Sequence, residues 1–401
     1  MGVVMDGPFD DLLRSPRDAP VALLHSGGGG RSTLLTEACD ELIVGPADAD
    51  DAWARLDSFL SRHRGRCCVG WFGYDLRDAS DAIPLRIAAD LALPLAHVVA
   101  FARRSTWRDA AASPAPPLST AARTRVHTHT TRADFEARIA AVVEHIRAGD
   151  IFQANLTQPF TGAFAGDPRL LFWRACAVSP APFAAYLEFD RRIAVLSASP
   201  EEFLRVRDRM VETRPIKGTR PRGRDPSADH ALLAELLASD KDRAELAMIV
   251  DLMRNDLGKV AAVGSVDVGP FPEHASFAHV HHTFACVRAR LRPEVTFGDL
   301  MAATFPPGSV TGAPKLRAME ILEELELVRR GVYTGAIGWF GPGDACHLNV
   351  AIRTLTLVDG LARFNAGGGI TARSDPHAEY DECLHKAVGW LRALGAELDG
   401  P

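Results

Sequence analysis

The chain reads as an α+β protein built on antiparallel sheet, and three observations predict it. Segments rich in β-formers follow one another between about residues 151 and 215. Helical segments then arrive in blocks of their own instead of alternating strictly with strands, which is the pattern of an antiparallel α+β fold and not of a Rossmann-type one. Composition supplies the core: of 401 residues, 47% are hydrophobic and 24% charged, far from the low-hydropathy signature of disorder.

Taken in order, the N-terminal MGVVMDGPFDDLLRSP lacks the basic-then-apolar pattern of a signal peptide. No apolar run reaches membrane-spanning length, so a cytoplasmic protein without membrane contact is expected. Residues 110–122, AAASPAPPLSTAA, are too rich in small residues and proline to sustain a helix or a central strand and read as a linker or surface crossover. In TRADFEARIAAVVEHIRAGD, Phe135, Ile139, Val142, Val143 and Ile146 fall at helical spacing after a threonine cap and before Gly149, which predicts an amphipathic helix. IFQANLTQPF, FAAYLEF, RIAVLSAS and FLRVRDRMVETRP predict successive strands, broken at turns such as Asp190-Arg191-Arg192. A helical stretch follows over 229–259, interrupted near Ser239-Asp240, and later helices are expected at 296–304, 314–329 and 376–394. Strands are expected at 335–340, 350–358 and 362–366. No internal repeat is visible.

Charge and cysteine usage narrow the partners. A formal net charge of -6 with no polybasic run gives no footprint for nucleic acid and leaves an anionic substrate dependent on locally placed cations. The seven cysteines lie at 39, 67, 68, 176, 286, 346 and 383 without CxxC spacing, so reduced thiols are expected in place of a disulfide framework or a zinc site.

Several residue groups carry chemistry. KDRAELAMIVDLMRND sets Asp242 and Glu245 on one helical face, and DPHAEYDECLHKAVGWL does the same for Glu379 and Glu382. Surface helices are full of such pairs. If these two helices face one another, however, one or two of the carboxylates suit Mg²⁺, which keeps waters and takes an anionic substrate oxygen. Lys386, one turn beyond Glu382, is either an i,i+4 partner or a substrate contact. In ETRPIKGTRPRG, Lys217 stands beside Gly218 in a strand expected to end in a tight turn, with apolar and glycine neighbours that permit desolvation, a lowered pKa and nucleophilic use. Arg353 in VAIRTLTL faces either solvent or a pocket, where its guanidinium would take a carboxylate bidentately. NAGGGITA, with Gly367, Gly368 and Gly369, offers successive N–H groups to an anion or is simply a turn. PPGSVTGAPKLRAMEIL brings Ser309, Thr311 and Gly312 to a helix N-terminus, where the dipole favours an anion.

The order of these motifs is itself informative. GDIFQANLTQ, SPEEFL, TRPIKGTRPRG, RAELAMIVDLMRNDLGKV, FPPGSVTGAPKLRAMEIL, NVAIRTL, AGGGI and SDPHAEYDECLHKA resemble, in sequence order, the chorismate-binding enzymes, a family that includes anthranilate, aminodeoxychorismate, isochorismate and salicylate synthases. The resemblance is dense over 131–396. Before that it rests on LLHSG at 23–27 and GWFGYDL at 70–76. It implies two large antiparallel sheets sandwiched and covered by helices, with residues 1–125 as an N-terminal part and 131–396 as the catalytic region, intertwined in one structural domain. It further implies a Mg²⁺-dependent chorismate site. Glu245 and Glu382 match the metal ligands, and Asp242 and Glu379 their support. Arg353, Tyr333 and the backbone of Gly367, Gly368 and Gly369 match the groups holding the enolpyruvyl side chain, with Lys386 near the metal end and Thr311 among the substrate contacts. Glu201 matches the general acid that protonates the departing 4-hydroxyl, and His282 a histidine beside the ring.

Two positions distinguish branches of the family. PIKGT, with Lys217, resembles the pattern of the aminodeoxychorismate branch, where the lysine is thought to add to C2 of chorismate; alanine is usual there in the anthranilate and isochorismate branches. Gln153 stands where water-using members carry a lysine, and a glutamine cannot act as the base for water, which implies ammonia as the nucleophile. No amidotransferase segment is visible, so a separate glutamine amidotransferase subunit is the implied ammonia source. The implied product is 4-amino-4-deoxychorismate, passed to a downstream aminodeoxychorismate lyase on the way to p-aminobenzoate and folate. Anthranilate synthase component I, or a catalytically weak paralogue serving as an amidotransferase-binding subunit, are the other readings. Thr283-Phe284-Ala285 and CHLNV depart from the usual family runs, and GGGGRST after LLHS makes a tryptophan pocket doubtful.

Overall fold

Two long strands, Arg31–Val44 and Ala96–Arg108, pair antiparallel along almost their whole length and carry the main sheet from one half of the molecule to the other. The structure is a computed structural model in which residues 7–27, 30–77, 83, 86–108, 124–277 and 280–399 are described; the proline-rich stretch 110–122 lies outside them. The register of the long pair shifts between Ala38 and Asp40, and an extra residue of this kind bends a strand and increases its twist.

To one side of the pair, the sheet continues through Val21–His25, Phe183–Glu188, Ile193–Ser199, Thr354–Val358, Leu361–Ile370 and Gln153–Ala163. To the other, it continues through Cys67–Phe72, Ala336–Gly341, Ala345–Val350, Glu202–Arg207, Met210–Arg214 and Val287–Arg290. The hydrogen bonding is thus continuous over 18 strands, and what the sequence implied as two sheets is a pair of halves joined by two shared strands.

Three apolar clusters define the layers. Ala22, Leu35, Val69, Trp71, Val99, Leu187, Val195 and Ile337 come from both halves and fill the space between them. A second cluster joins the helices Ala52–Arg62, Asp240–Gly258 and Phe297–Thr304 to one half. A third joins Arg132–Arg147, Pro168–Val178, Lys315–Leu325 and Pro376–Leu394 to the other. The order is helix, sheet, sheet, helix, as expected when each apolar face must be covered.

The predicted helices are present with shifted ends. Thr131 caps Arg132–Arg147 by accepting from the Asp134 amide at 3.2 Å. The 229–259 stretch divides into Pro226–Leu237 and Asp240–Gly258, with Ser239 capping the second. The helix expected over 314–329 ends at Leu325. The expected strand 350–358 is two strands, Ala345–Val350 and Thr354–Val358, separated at Arg353, which adopts φ 48°. The glycine triplet is not a turn. It lies inside Leu361–Ile370, with Gly367 opposite Thr157 and Gly369 opposite Asn155. All seven cysteines are free. No described helix is long and apolar enough to cross a membrane.

Candidate active site

Outside the main sheet, a small one of three strands, Ile216–Pro221, Val280–Phe284 and Glu273–Ser276, carries Lys217 and His282. Its first strand does not end after Lys217. It bulges between Lys217 and Thr219, with Gly218 at φ 82°, a region that side chains rarely enter. A Cβ there would also stand 2.7 Å from Thr283 Oγ1 and 2.9 Å from Leu236 Cδ1. The Thr283 hydroxyl donates to the Lys217 carbonyl, so the Thr283 departure from the family run secures the strand that presents the lysine. Lys217 is half-buried, and burial pushes its pKa down against the raising influence of Glu245, Glu201 and Glu382.

Glu201 occupies the connection between Ile193–Ser199 and Glu202–Arg207 and is only 5% exposed. Its amide donates to Ser199 Oγ at 3.2 Å, and its carbonyl accepts from the Val350 amide at 3.0 Å, which fixes the backbone. Burial raises its carboxyl to about 7, although a hydrogen bond from Ser309, the charge of Lys217 and the Ile216 amide pull it down. His282 moves the opposite way. Burial, reinforced by Arg353, lowers it to about 4, so the ring is neutral at physiological pH, with Nδ1 2.8 Å from Thr219 Oγ1.

The two acidic helices do face a common space. Glu245 is raised by burial, with Asp242 and Glu379 adding like-charge repulsion and Lys217 and Lys241 opposing it. Glu379 is likewise raised, by burial first, with Glu382 repelling it; its Oε1 accepts from Ser374 Oγ at 2.6 Å. Burial pushes Glu382 upward, but Lys386, at 2.8 Å, outweighs it and the net shift is downward. Lys386 also donates to the Gly367 carbonyl at 2.8 Å, so the glycine strand anchors the lysine. Asp242 turns instead toward Arg220, at 3.6 Å.

The glycine strand forms a wall of the same space. A Cβ on Gly368 would lie 3.2 Å from Glu379 Oε2, 3.5 Å from Lys386 Nζ and 3.7 Å from Glu382 Oε1. A Cβ on Gly369 would lie 2.4 Å from Gln153 Nε2 and 3.4 Å from Lys217 Nζ. Gln153 is 1% exposed, and its Oε1 is buried without a hydrogen-bond partner. Arg353, Glu382 and Lys386 line a cavity of 310 Å³ with Ser179, Ala198 and His385, within the size range of small-ligand sites, roughly 300–1,000 Å³. A larger cavity of 620 Å³, near His63, Arg209 and Phe340, contains none of these groups.

Two further sequence candidates, Thr311 and Tyr333, have other described neighbours. The Thr311 hydroxyl donates to the Gly308 carbonyl at 3.2 Å, and its own carbonyl accepts from the Asn155 amide, so it helps to shape the turn. Tyr333 is 7% exposed, and its phenol is raised by burial, with Arg330, Cys383 and Glu326 as its charged or titrating neighbours; it lines a separate small cavity with Arg330, Arg363 and Asn365. Ser374 and Lys241 enter the site without having been assigned roles from sequence, and Ser309, read from sequence as an anion contact at a helix N-terminus, hydrogen-bonds Glu201. A serine preceding an Asp-Pro cap, and a lysine one turn before a glutamate, are the signals that were available.

The donor set suits a hard cation. Glu245 Oε1 is buried without a hydrogen-bond partner, and the neighbouring donors are carboxylate oxygens. Among the described residues no group of three or more His, Cys, Asp or Glu is gathered as a metal cage, but Mg²⁺ asks for only one or two protein carboxylates.

The chorismate binding enzyme family model matches residues 19–392. Anthranilate synthase component 1 1 of Haloarcula marismortui is 35% identical, over 99% of this chain and 92% of the relative. Aminodeoxychorismate synthase component 1 of Klebsiella aerogenes is 39% identical, over 81% of this chain and 76% of the relative. The crystal structure of anthranilate synthase component I from Streptococcus pneumoniae superposes with a TM-score of 0.80 at 28% identity, covering 90% of this chain and 92% of that one. With a family match over nearly its whole length and a relative 35% identical over 99% of it, the chain belongs to the family of chorismate-binding enzymes.

Proposed function

We propose that the protein aminates chorismate to 4-amino-4-deoxychorismate, using ammonia from a separate glutamine amidotransferase subunit. The observation that carries this reading is the placement of Lys217 Nζ and the Gln153 amide on the same glycine, Gly369, within the electrostatic reach of a carboxyl held near pH 7. A desolvated lysine is a nucleophile at neutral pH. A carboxyl that remains half-protonated there is a general acid.

In the proposed reaction the Lys217 amine adds to C2 of chorismate, the ring double bonds shift toward C4, and Glu201 gives its proton to the departing 4-hydroxyl, which leaves as water. Ammonia then adds at C4, the double bonds return, and the C2–nitrogen bond breaks to release the lysine; the ammonium proton returns to Glu201. Neutral His282 and cationic Arg353 border the ring and the side-chain carboxylate. Gln153 offers its unpartnered carbonyl oxygen to the entering ammonia. Glu245 and Glu382, with Glu379 behind them, would hold Mg²⁺, which would supply a positive seat for the ring carboxylate.

The test is product identity. Purified protein with chorismate, Mg²⁺ and ammonium should release p-aminobenzoate only after an aminodeoxychorismate lyase is added. The similarity of the Haloarcula marismortui anthranilate synthase over 99% of the chain favours the second reading, whose signature is anthranilate formed without the lyase. That product at the full rate would replace the proposal.

A further inference from the structure

Glu245, Glu379 and Glu382 are answered by three lysines, and one of them differs in kind. Lys386 is fixed by its contacts to Glu382 and the Gly367 carbonyl, each at 2.8 Å. Lys217 is held on the bulged strand. Lys241 approaches from outside, with its side chain 52% exposed and its Nζ 3.9 Å from Glu245 Oε1. That oxygen is the buried one with no hydrogen-bond partner, so Lys241 neutralises it through space without donating to it. Its charge also acts on Glu379 and Glu382, so a single flexible ammonium serves all three carboxylates.

We infer that Lys241 is a tethered counter-ion at the cation seat, opposing divalent-cation binding in the free enzyme and withdrawing toward solvent as the cation enters. The inference rests on the proposed metal role of Glu245 and Glu382. Leaving costs Lys241 no hydrogen bond in the Glu245 contact, and its four-carbon stem allows the movement. A divalent cation arriving at Glu245 gains the unpartnered oxygen but meets this positive charge. Removal of the charge is therefore expected to tighten cation binding roughly three- to tenfold at low salt, the scale of one partly screened charge pair, with a smaller effect at high salt.

The test measures binding of Mn²⁺, a paramagnetic substitute with the same preference for oxygen ligands, to the full chain without chorismate. Electron paramagnetic resonance of the free ion gives the affinity for wild type, Lys241→Met, Lys241→Arg and Glu382→Gln. Lys241→Met should bind Mn²⁺ three- to tenfold more tightly than wild type, and Lys241→Arg should match wild type. Glu382→Gln should bind more weakly than any of them. If Lys241→Met binds no better than wild type, including no measurable binding by either, the inference is overturned and Lys241 is a helix-surface partner of Glu245. If Glu382→Gln binds as well as wild type, the metal-site reading fails instead.

Discussion

Glu201→Gln removes a carboxyl that its surroundings hold near neutrality, and the direction of that shift fixes two consequences. Burial raises Glu201 from an ordinary 4.5 to about 7. At pH 7 about half of the molecules then carry the proton a general acid needs, against about one in 300 at the ordinary value. A positioned acid contributes roughly 10²- to 10⁴-fold, so kcat/KM for chorismate should fall by about that factor in Glu201→Gln. The wild-type profile, taken at constant free ammonia, should decline above pH 7 as the acid is lost. Stability moves with the opposite benefit. Because the folded-state value is the higher one, the stabilisation is complete below about pH 4.5 and is lost as pH rises through 7, by about 3 kcal/mol. Glu201→Gln cannot ionise, so it should unfold at a higher temperature than wild type at pH 8.5, with the gap closing toward pH 5. Paired pH-rate profiles and thermal unfolding curves check both arms. A variant within threefold of the wild-type rate, or a stability gap that does not change with pH, would refute the reasoning.

Other perturbations follow from the same geometry. Gly369→Ala places a methyl 2.4 Å from Gln153 Nε2; the glutamine must move, and the KM for ammonium should rise with little change in melting temperature. Arg353→Leu removes a cation bordering the 310 Å³ cavity; a charge-assisted hydrogen bond is worth about 1.5–3 kcal/mol, so kcat/KM for chorismate should fall about 10- to 150-fold, and an unchanged value would detach Arg353 from the substrate. Glutamine should support turnover only when an amidotransferase subunit is added, whereas ammonium at alkaline pH should support it alone; glutamine-driven synthesis by the isolated chain would contradict this.

The parts legible in the sequence were those set by local periodicity. The capped helix from Arg132, the break at Ser239 and the acidic pairs on two helices depend on spacing within one element, and they appear where expected. The parts that were not legible depend on tertiary pairing. NAGGGITA has turn composition, yet Leu361–Ile370 runs as a strand because Gln153–Ala163 pairs with it; the Leu156 carbonyl leaves no room for a Cβ at Gly367, and the Gln153 side chain would have to move to admit one at Gly369. IKGT looked like a strand end because Gly218 requires a positive φ; the same φ makes a bulge when Thr283 stands opposite. VAIRTLTL alternates like a single strand, but Arg353 turns at φ 48° and enters the cavity. The neighbours of Thr311 and Tyr333, the Gly308 carbonyl for one and Arg330, Cys383 and Glu326 for the other, come from distant or turn-forming residues that spacing alone does not reveal.

The central claim is that the Lys217 amine becomes covalently bonded to the substrate ring. Wild-type protein incubated with chorismate and Mg²⁺ in the absence of ammonia, followed by intact-mass analysis and peptide mapping, should show a chorismate-derived adduct on Lys217 that disappears when ammonium is added and is absent from Lys217→Ala. If no adduct can be trapped and Lys217→Ala forms aminodeoxychorismate at the wild-type rate, Lys217 is an electrostatic contact and the covalent account is wrong.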